Sequence, residues 1–314
     1  MNAVSPVLIL FFFMLTGFIS AKVKISGPEM AAHFSKFVVN IGLPALLFTT
    51  FQRPFSFQLL GEAGMSFAMS ILVYGISFLI AFFYPKLLGI KSPERGVHRY
   101  VIIISNCGYM GYPMVEALLG PAFLFHAVIF NIPFNFLAFT VCAWIIAKEG
   151  KQPFSLNWKM LFNPNVAATI LGLLFFLFSI KLPDPLYRSL KSIGDMASPL
   201  MMIITGITLA QTSFRKIFGS PLIYVTSAAR LLVIPVLFGF IFYIMGIMGV
   251  PGIRGALFTM AVLITAMPAG SSAAMLALLY KTAEEEAGSL VFLSTILSII
   301  TIPAIMIFTE YLNR

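Results

Sequence analysis

The chain has 314 residues, of which 60% are hydrophobic and only 10% are charged. An ordinary soluble domain carries roughly 25% charged residues, and the core of a soluble protein of this length would fill before so many apolar side chains were buried. The composition therefore excludes a soluble enzyme, a disordered chain and a disulfide-stabilised secreted scaffold. It is typical of an all-α polytopic membrane protein.

The net charge of +9 does not point to nucleic acid, because no basic stripe alternates with exposed aromatic residues. No cofactor is expected either. The three histidines are scattered and form no metal-binding set, and no glycine-rich phosphate loop indicates ATP. Cys107 and Cys142 lie inside apolar runs and are expected to be buried thiols.

Charged residues divide the apolar sequence into ten segments, which predict ten transmembrane helices in a single membrane unit spanning residues 1–314. The first segment has no preceding basic region, so we expect a helix there rather than a cleaved signal peptide. The predicted helices cover residues 4–21, 33–52, 63–84, 100–119, 123–147, 162–180, 193–213, 221–247, 255–280 and 287–310.

The basic residues predict the orientation of these helices. With both termini outside, thirteen Lys and Arg residues fall in inside loops and six in outside loops. Because cytoplasmic loops carry the excess of basic residues, the count predicts a multi-pass protein of the cell (cytoplasmic) membrane with both termini outside. The run Glu284-Glu285-Glu286 is expected to be a solvated loop.

Prolines recur at one offset along the chain. Pro44 and Pro199 are 155 positions apart, as are Pro113 and Pro268, and each follows a small residue by two positions. We interpret residues 1–147 and 162–314 as two repeats of five helices each. Since five is odd, the second repeat enters the membrane from the opposite side, as in many secondary transporters. The alternative is coincidence among 19 prolines.

Predicted helices 4 and 9 combine Gly, Pro and polar residues at mid-span, over residues 106–113 and 265–272. Such a segment can unwind into two half-helices, whose inner ends bring N–H groups and carbonyls to one point. We therefore expect broken helices that cross at their prolines. The alternative is a plain proline kink, which also suits Pro44, Pro199, Pro235 and Pro303.

Five segments in order resemble the auxin efflux carrier family: FVVNIGLPALLF, NCGYMGYP, MASPLMMIITGITLA, MPAGSSAAMLALLY and LSTILSIITIP. The resemblance implies two inverted five-helix halves and a fold similar to that of bile-acid:sodium symporters. It further implies a scaffold of helices 1, 2, 6 and 7, a transport domain of helices 3–5 and 8–10, and a homodimer. The link at 148–161 is short, whereas plant members have a long loop there, so the chain resembles a compact microbial member and auxin itself is a doubtful substrate. The resemblance to such members implies small organic acids such as malate or malonate.

The resemblance also implies that Asn106, before the helix 4 crossover, and Asn131, in helix 5, face the ligand. Asn135 is an alternative to Asn131. These amides and the half-helix ends make up the predicted substrate-binding site: Asn106, Gly111, Pro113, Asn131, Pro268, Ser271 and Ser272. Ser294, Thr295 and Ser298 are expected to make ordinary interhelical hydrogen bonds.

Ionisable groups at membrane depth are costly and are functional candidates by default. Glu116 is either a proton or cation site or a carboxylate near the outer interface. Arg230 either balances the charge of an anion or a carboxylate, or holds a neighbouring carbonyl for structure. Asp195 is expected to have a capping or interface role. Coupling to H+ or to Na+ stays open.

These features predict a secondary transporter that moves a small organic anion, such as a carboxylate or an auxin-like acid, through the lipid bilayer by alternating access. A cation-coupled, bile-acid-like symporter is the main alternative. A membrane-embedded enzyme is disfavoured because too few catalytic groups lie deep in the spans. A channel is disfavoured because repeated polar rings around an axis are missing.

Overall fold

The computed structural model describes residues 4–150, 152–154, 163–211, 220–250 and 252–313. These residues form helices and no strand, which confirms the all-α class. The α-helices are α1 Val4–Lys22, α2 Pro28–Phe37, α3 Leu43–Thr50, α4 Phe57–Leu87, α5 Arg95–Ile103, α6 Tyr112–Leu119, α7 Leu124–Phe130, α8 Ile132–Phe139, α9 Val141–Ala147, α10 Pro164–Leu177, α11 Asp184–Asp195, α12 Ala197–Ala210, α13 Pro221–Ala228, α14 Ile234–Ile247, α15 Ala256–Thr265, α16 Ser272–Leu279 and α17 Glu284–Asn313.

Six continuous helical segments of the described chain are long and apolar enough to cross a membrane, and a seventh is a helix pair bent by 42°. The six are Ser5–Lys22, Pro28–Thr50, Phe57–Leu87, Asp184–Ala210, Pro221–Ile247 and Glu284–Asn313, and the bent pair is Pro121–Phe130 with Ile132–Ala147. The protein is thus a multi-pass membrane protein. Predicted helices 6 and 9 correspond to the shorter apolar helices α10 and α15.

Three prolines lie just after π-helical turns rather than at breaks. The turns Val38–Gly42, Cys107–Gly111 and Ala229–Val233 lead directly into α3, α6 and α14. Each of these helices carries a proline at its second residue, which is Pro44, Pro113 or Pro235. Since proline lacks an N–H and its ring clashes with the carbonyl one turn back, the wider π turn accommodates it and the helix continues.

Contacts divide the chain into two units, and each unit draws on both halves of the sequence. The first comprises the described residues of Met1–Ser66, Gly108–Ile129 and Trp158–Gln211. Within it α1 and α12 pack at close range, because a methyl group at Gly17 would overlap the Ile203 carbonyl and one at Gly206 would overlap the Met14 carbonyl. Small residues allow such close helix contacts in membranes.

The second unit comprises the described residues of Phe67–Cys107, Phe130–Asn157 and Thr212–Arg314. In its interior α5 contacts α9, α13, α16 and α17, while α15 contacts α14 and α17. The side chains of Tyr100, Phe238 and Phe258 are fully buried there. The neighbours of α5 and α15 thus hold these two helices in place, and the candidate site lies where α5 and α15 end.

Candidate functional site

Two interrupted helices of the second unit meet at a short antiparallel bridge. α5 ends at Ile103 because Ile104 is extended, with φ −106° and ψ 114°. α15 ends at Thr265, and the bridge pairs Ser105 with Ala269. We call residues 104–106 and 268–270 the crossover.

The crossover is held by a reciprocal pair of backbone hydrogen bonds. The Asn106 N–H donates to the Pro268 carbonyl at 2.8 Å, and the Gly270 N–H donates to the Ile104 carbonyl at 3.3 Å. A side chain at Gly270 would lie only 3.2 Å from the Ser105 carbonyl. This close approach leaves little room for a side chain at that position.

Polar side chains complete the crossover. The Ser105 hydroxyl donates to the Ile264 carbonyl at 3.2 Å, and the Ala269 N–H donates to Ser294 Oγ at 3.1 Å. Ser294 therefore makes the interhelical bond expected of it, whereas Thr295 and Ser298 bond to carbonyls of their own helix. Buried backbone groups need such partners, and these two bonds supply them for the Ile264 carbonyl and the Ala269 N–H.

Arg230 binds the carbonyl ends of both interrupted helices. It is 2% exposed. Its Nη1 donates to the Ile102 carbonyl at 3.0 Å, Nη2 to Thr265 at 2.9 Å and Nε to Met267 at 3.2 Å. The carbonyl end of a helix carries partial negative charge. The guanidinium thus neutralises the partial charge of two helix ends. This supports the alternative in which Arg230 holds neighbouring carbonyls for structure.

The amino end of α16 offers a different surface. Ser271 is its N-cap residue, makes no side-chain capping bond and is exposed. Ser272 is half-buried, and its Oγ accepts a hydrogen bond from the Tyr100 hydroxyl at 2.8 Å. Of the two predicted serines, Ser271 is therefore the accessible one. The amide end of a helix favours negative charge.

Both predicted asparagines lie in the second unit. Asn106 is 5% exposed and has its backbone in the crossover. Asn131 is 1% exposed and lies at the bend between α7 and α8. Neither Nδ2 nor Oδ1 of Asn131 has a hydrogen-bond partner in the described chain, and its carbonyl accepts from Asn135 Nδ2 at 3.4 Å. Such buried amides are unusual, and no hydrogen bond links Asn131 to the crossover among the described residues.

The remaining predicted residues belong to the first unit, and one expectation about them is wrong. Gly111 ends a π turn and Pro113 is buried inside α6, so no half-helix starts after Pro113. The break lies upstream, at Ile104–Asn106. The bridge pairs Ser105 with Ala269, and these two residues are not separated by the 155-residue offset of the prolines.

Glu116 is half-buried in α6 and accepts a hydrogen bond from the Ser198 hydroxyl at 2.8 Å. A second expectation fails at the acidic run, because Glu284, Glu285 and Glu286 form the first turn of α17 rather than a loop. Glu286 is 2% exposed and pairs with the buried His98, whereas Glu284 is exposed as expected. Sequence reasoning missed this pair, since an acidic run does not show which of its members faces inward.

Comparison with known proteins identifies related transporters. A family model described as membrane transport protein matches residues 2–155 and 151–306. An uncharacterized transporter of Methanothermobacter thermautotrophicus is 25% identical over 305 residues, which cover 96% of this chain and 97% of that protein. A Rhizobium meliloti protein named "Putative malonate transporter" is 23% identical over 310 residues, covering 96% of this chain and 93% of the relative. The uncharacterized transporter YfdV of Escherichia coli is 22% identical over 231 residues, 71% of this chain and 73% of that one.

Proposed function

Because the chain belongs to the auxin efflux carrier family of membrane transport proteins, we propose that it is a secondary transporter of a small organic anion. It moves the anion across the cell membrane by alternating access. The arrangement proposed with it has ten transmembrane helices in two inverted repeats, with both termini outside. In this arrangement helices 1, 2, 6 and 7 are the scaffold, helices 3–5 and 8–10 move, and the assembly is a homodimer.

The observation that carries this proposal is the binding of Arg230 to the carbonyls of Ile102, Thr265 and Met267. The guanidinium neutralises the negative helix ends at the crossover, while the positive end of α16 keeps an exposed Ser271. The electrostatic field of the helix ends and the guanidinium at the crossover therefore favours an anion. Backbone amides and a hydroxyl bind a carboxylate without the entropy cost of ordering long basic side chains.

Two features support a small carboxylate as the class of substrate. The Asn131 amide has a free donor and a free acceptor in a buried position, and a carboxylate in a dry site needs converging donors. The printed name of the Rhizobium relative, with which this chain shares 23% identity, mentions malonate. Malonate is thus a suitable first probe.

Purified protein in liposomes tests the proposal. Vesicles loaded with unlabelled malonate should take up labelled malonate by counterflow, a reaction that only a carrier with alternating access performs. Malate, a monocarboxylate such as acetate, and indole-3-acetate define the substrate class. The assay is run with sodium on both sides of the vesicle membrane and, in a parallel set, with potassium instead. The comparison tests the cation-coupled alternative. Uptake without counterflow, or uptake of inorganic ions alone, contradicts the carrier proposal.

A further inference from the structure

Two buried titratable groups and their hydrogen-bond partners lie outside the proposed anion site. His98 on α5 is 0% exposed and Glu286 on α17 is 2% exposed. His98 Nε2 lies 3.1 Å from Glu286 Oε1, and His98 Nδ1 lies 2.7 Å from the Thr226 hydroxyl. The Tyr84 hydroxyl donates to the same Thr226 oxygen at 2.9 Å. All four residues belong to the second unit.

From this network we propose that His98 and Glu286 form the binding site for a proton that is cotransported with the anion. The inference rests on the proposed carrier function and names its coupling ion. A hydronium ion from the aqueous phase supplies the proton: its O–H bond breaks, an N–H bond forms on the imidazole, and a water molecule is released. The neutral histidine becomes an imidazolium paired with the carboxylate.

The network can satisfy both protonation states. In the neutral state Nε2–H donates to Glu286, and Nδ1 accepts from the Thr226 hydroxyl. In the charged state both ring nitrogens donate, and the Thr226 oxygen accepts from His98 and from Tyr84 with its two lone pairs. A threonine hydroxyl can rotate between these roles. The site therefore gains or loses a proton without leaving a ring nitrogen unpaired.

Proton binding changes the net charge of the buried layer. An ionised Glu286 beside a neutral His98 leaves one negative charge in a dry environment, and a bound proton removes it. Buried charges without compensation are strongly disfavoured. A negative layer also opposes an anion at the crossover, since charges interact over long distances where the dielectric constant is low. The proton and the anion should therefore bind together.

The helices that hold the pair also hold the crossover. Thr226 and Arg230 are four positions apart on one helical segment, as are His98 and Ile102 on α5, so each pair shares a helix face. Arg230 binds the Ile102 carbonyl. Further along α17 from Glu286, Ser294 binds the Ala269 N–H. The helices that carry His98 and Glu286, α5 and α17, therefore extend from the proton site to the anion site.

The other charged or titratable groups around the pair have their own partners or lie at its edge. Arg95 is paired with Glu149, Tyr100 donates to Ser272, and Arg230 is held by carbonyls. On the helices packed around the pair and in the turns that follow them, these groups are Tyr84, Arg95, Arg99, Tyr100, Lys148, Glu149, Tyr224, Arg230, Tyr280, Lys281, Glu284 and Glu285. Of these, Tyr84 reaches the pair through Thr226.

The test uses the full chain in proteoliposomes with labelled malonate as the probe. The parent protein should show counterflow at equal pH, and an inwardly directed proton gradient should raise its net uptake several-fold. Glu286→Gln should lose the gradient response, so that its net uptake is the same with and without the proton gradient. Glu284→Gln, in the same turn but exposed, should behave like the parent. A Glu286→Gln protein that retains the gradient response overturns the proton site and leaves the carrier proposal intact.

A second measurement is independent of malonate transport. The protein has three histidines, so imidazole ¹⁵N signals can be assigned with His98→Gln. The His98 signal should change from that of a neutral imidazole to that of an imidazolium as the pH is lowered, and Glu286→Gln should alter this change because the carboxylate no longer pairs with the imidazolium. A His98 signal that does not titrate overturns the proposal. Absence of malonate counterflow in the parent contradicts the carrier function instead.

Discussion

Arg230 Nη1 donates to the Ile102 carbonyl at 3.0 Å, and the same guanidinium reaches the carbonyl end of the second interrupted helix. One side chain thus joins two half-helices that are far apart in sequence. Lysine cannot reproduce this fork, because its ammonium is a point charge.

Arg230→Lys should therefore destabilise the protein. The substitution leaves one or two buried carbonyls without a donor, at a cost of about 1–3 kcal/mol each. The thermal unfolding midpoint of the detergent-purified protein measures this loss. Arg254→Lys is the control, since Arg254 is exposed, and it should change the stability by less than about 0.5 kcal/mol. Equal effects of the two substitutions would show that the carbonyl bonds contribute little.

Asn106→Ala should weaken malonate binding by about 1–3 kcal/mol, the usual cost of losing a hydrogen bond to a charged group. The fold should persist because the Asn106 backbone bond to Pro268 remains. Ser298→Ala is the control, since Ser298 bonds within its own helix. Ser294→Ala cannot serve, because Ser294 accepts from the Ala269 N–H. The affinity is measured from the thermal shift as a function of malonate concentration. If Asn106→Ala leaves the malonate affinity unchanged, the anion binds elsewhere.

Asn131→Leu separates function from stability. The buried amide has no partner for either polar atom, so a leucine of similar shape should leave the protein as stable as before or stabilise it by up to about 1 kcal/mol. Malonate counterflow should fall at least tenfold. Asn135→Leu tests the alternative position and should keep most of the activity. The opposite ranking of the two variants would assign the ligand contact to Asn135.

Glu116→Gln should change stability by less than about 1 kcal/mol, because a glutamine oxygen can still accept from the Ser198 hydroxyl. The gradient-driven uptake of malonate should also persist. This outcome supports a local structural role. Loss of the gradient response in Glu116→Gln, with Glu286→Gln unaffected, would make Glu116 the coupling residue.

The orientation can be tested with single cysteines. Cys107 and Cys142 are both 0% exposed and should not react with a membrane-impermeant maleimide. With both termini outside, a cysteine at Tyr311, which is 76% exposed, should be labelled in intact cells. A cysteine at Lys91 should react only after permeabilisation. Labelling of the Lys91 position in intact cells would reverse the predicted topology.

The sequence predicted the helical class and most helix positions, because charged residues mark the ends of apolar segments. It placed the first break wrongly, since proline was taken as the residue that interrupts the helix. A π turn accommodates Pro113 instead, and Ile104 adopts the extended backbone. The pairing of Ser105 with Ala269 depends on tertiary contacts that no local pattern reveals.

The sequence likewise identified some candidate side chains and missed others. Asn106 and Arg230 became candidates because polar groups are rare inside apolar segments, but only the positions of three carbonyls decide what Arg230 binds. Asn131 and Asn135 look alike in the sequence, whereas in the structure Asn131 is buried and Asn135 is half-buried. Glu286 was overlooked because its neighbours in the acidic run are solvated, and the burial of one member depends on His98 of a distant helix.

The bridge between Ser105 and Ala269 has a local two-fold axis, since each segment gives one N–H and receives one. Neither segment can slide along the other without losing both bonds at once. Arg230 adds a third connection that spans the same two segments. In the proposed transport cycle, α5, α15 and the Arg230 segment therefore travel together. The place where the two helices are interrupted is also the place where they are joined.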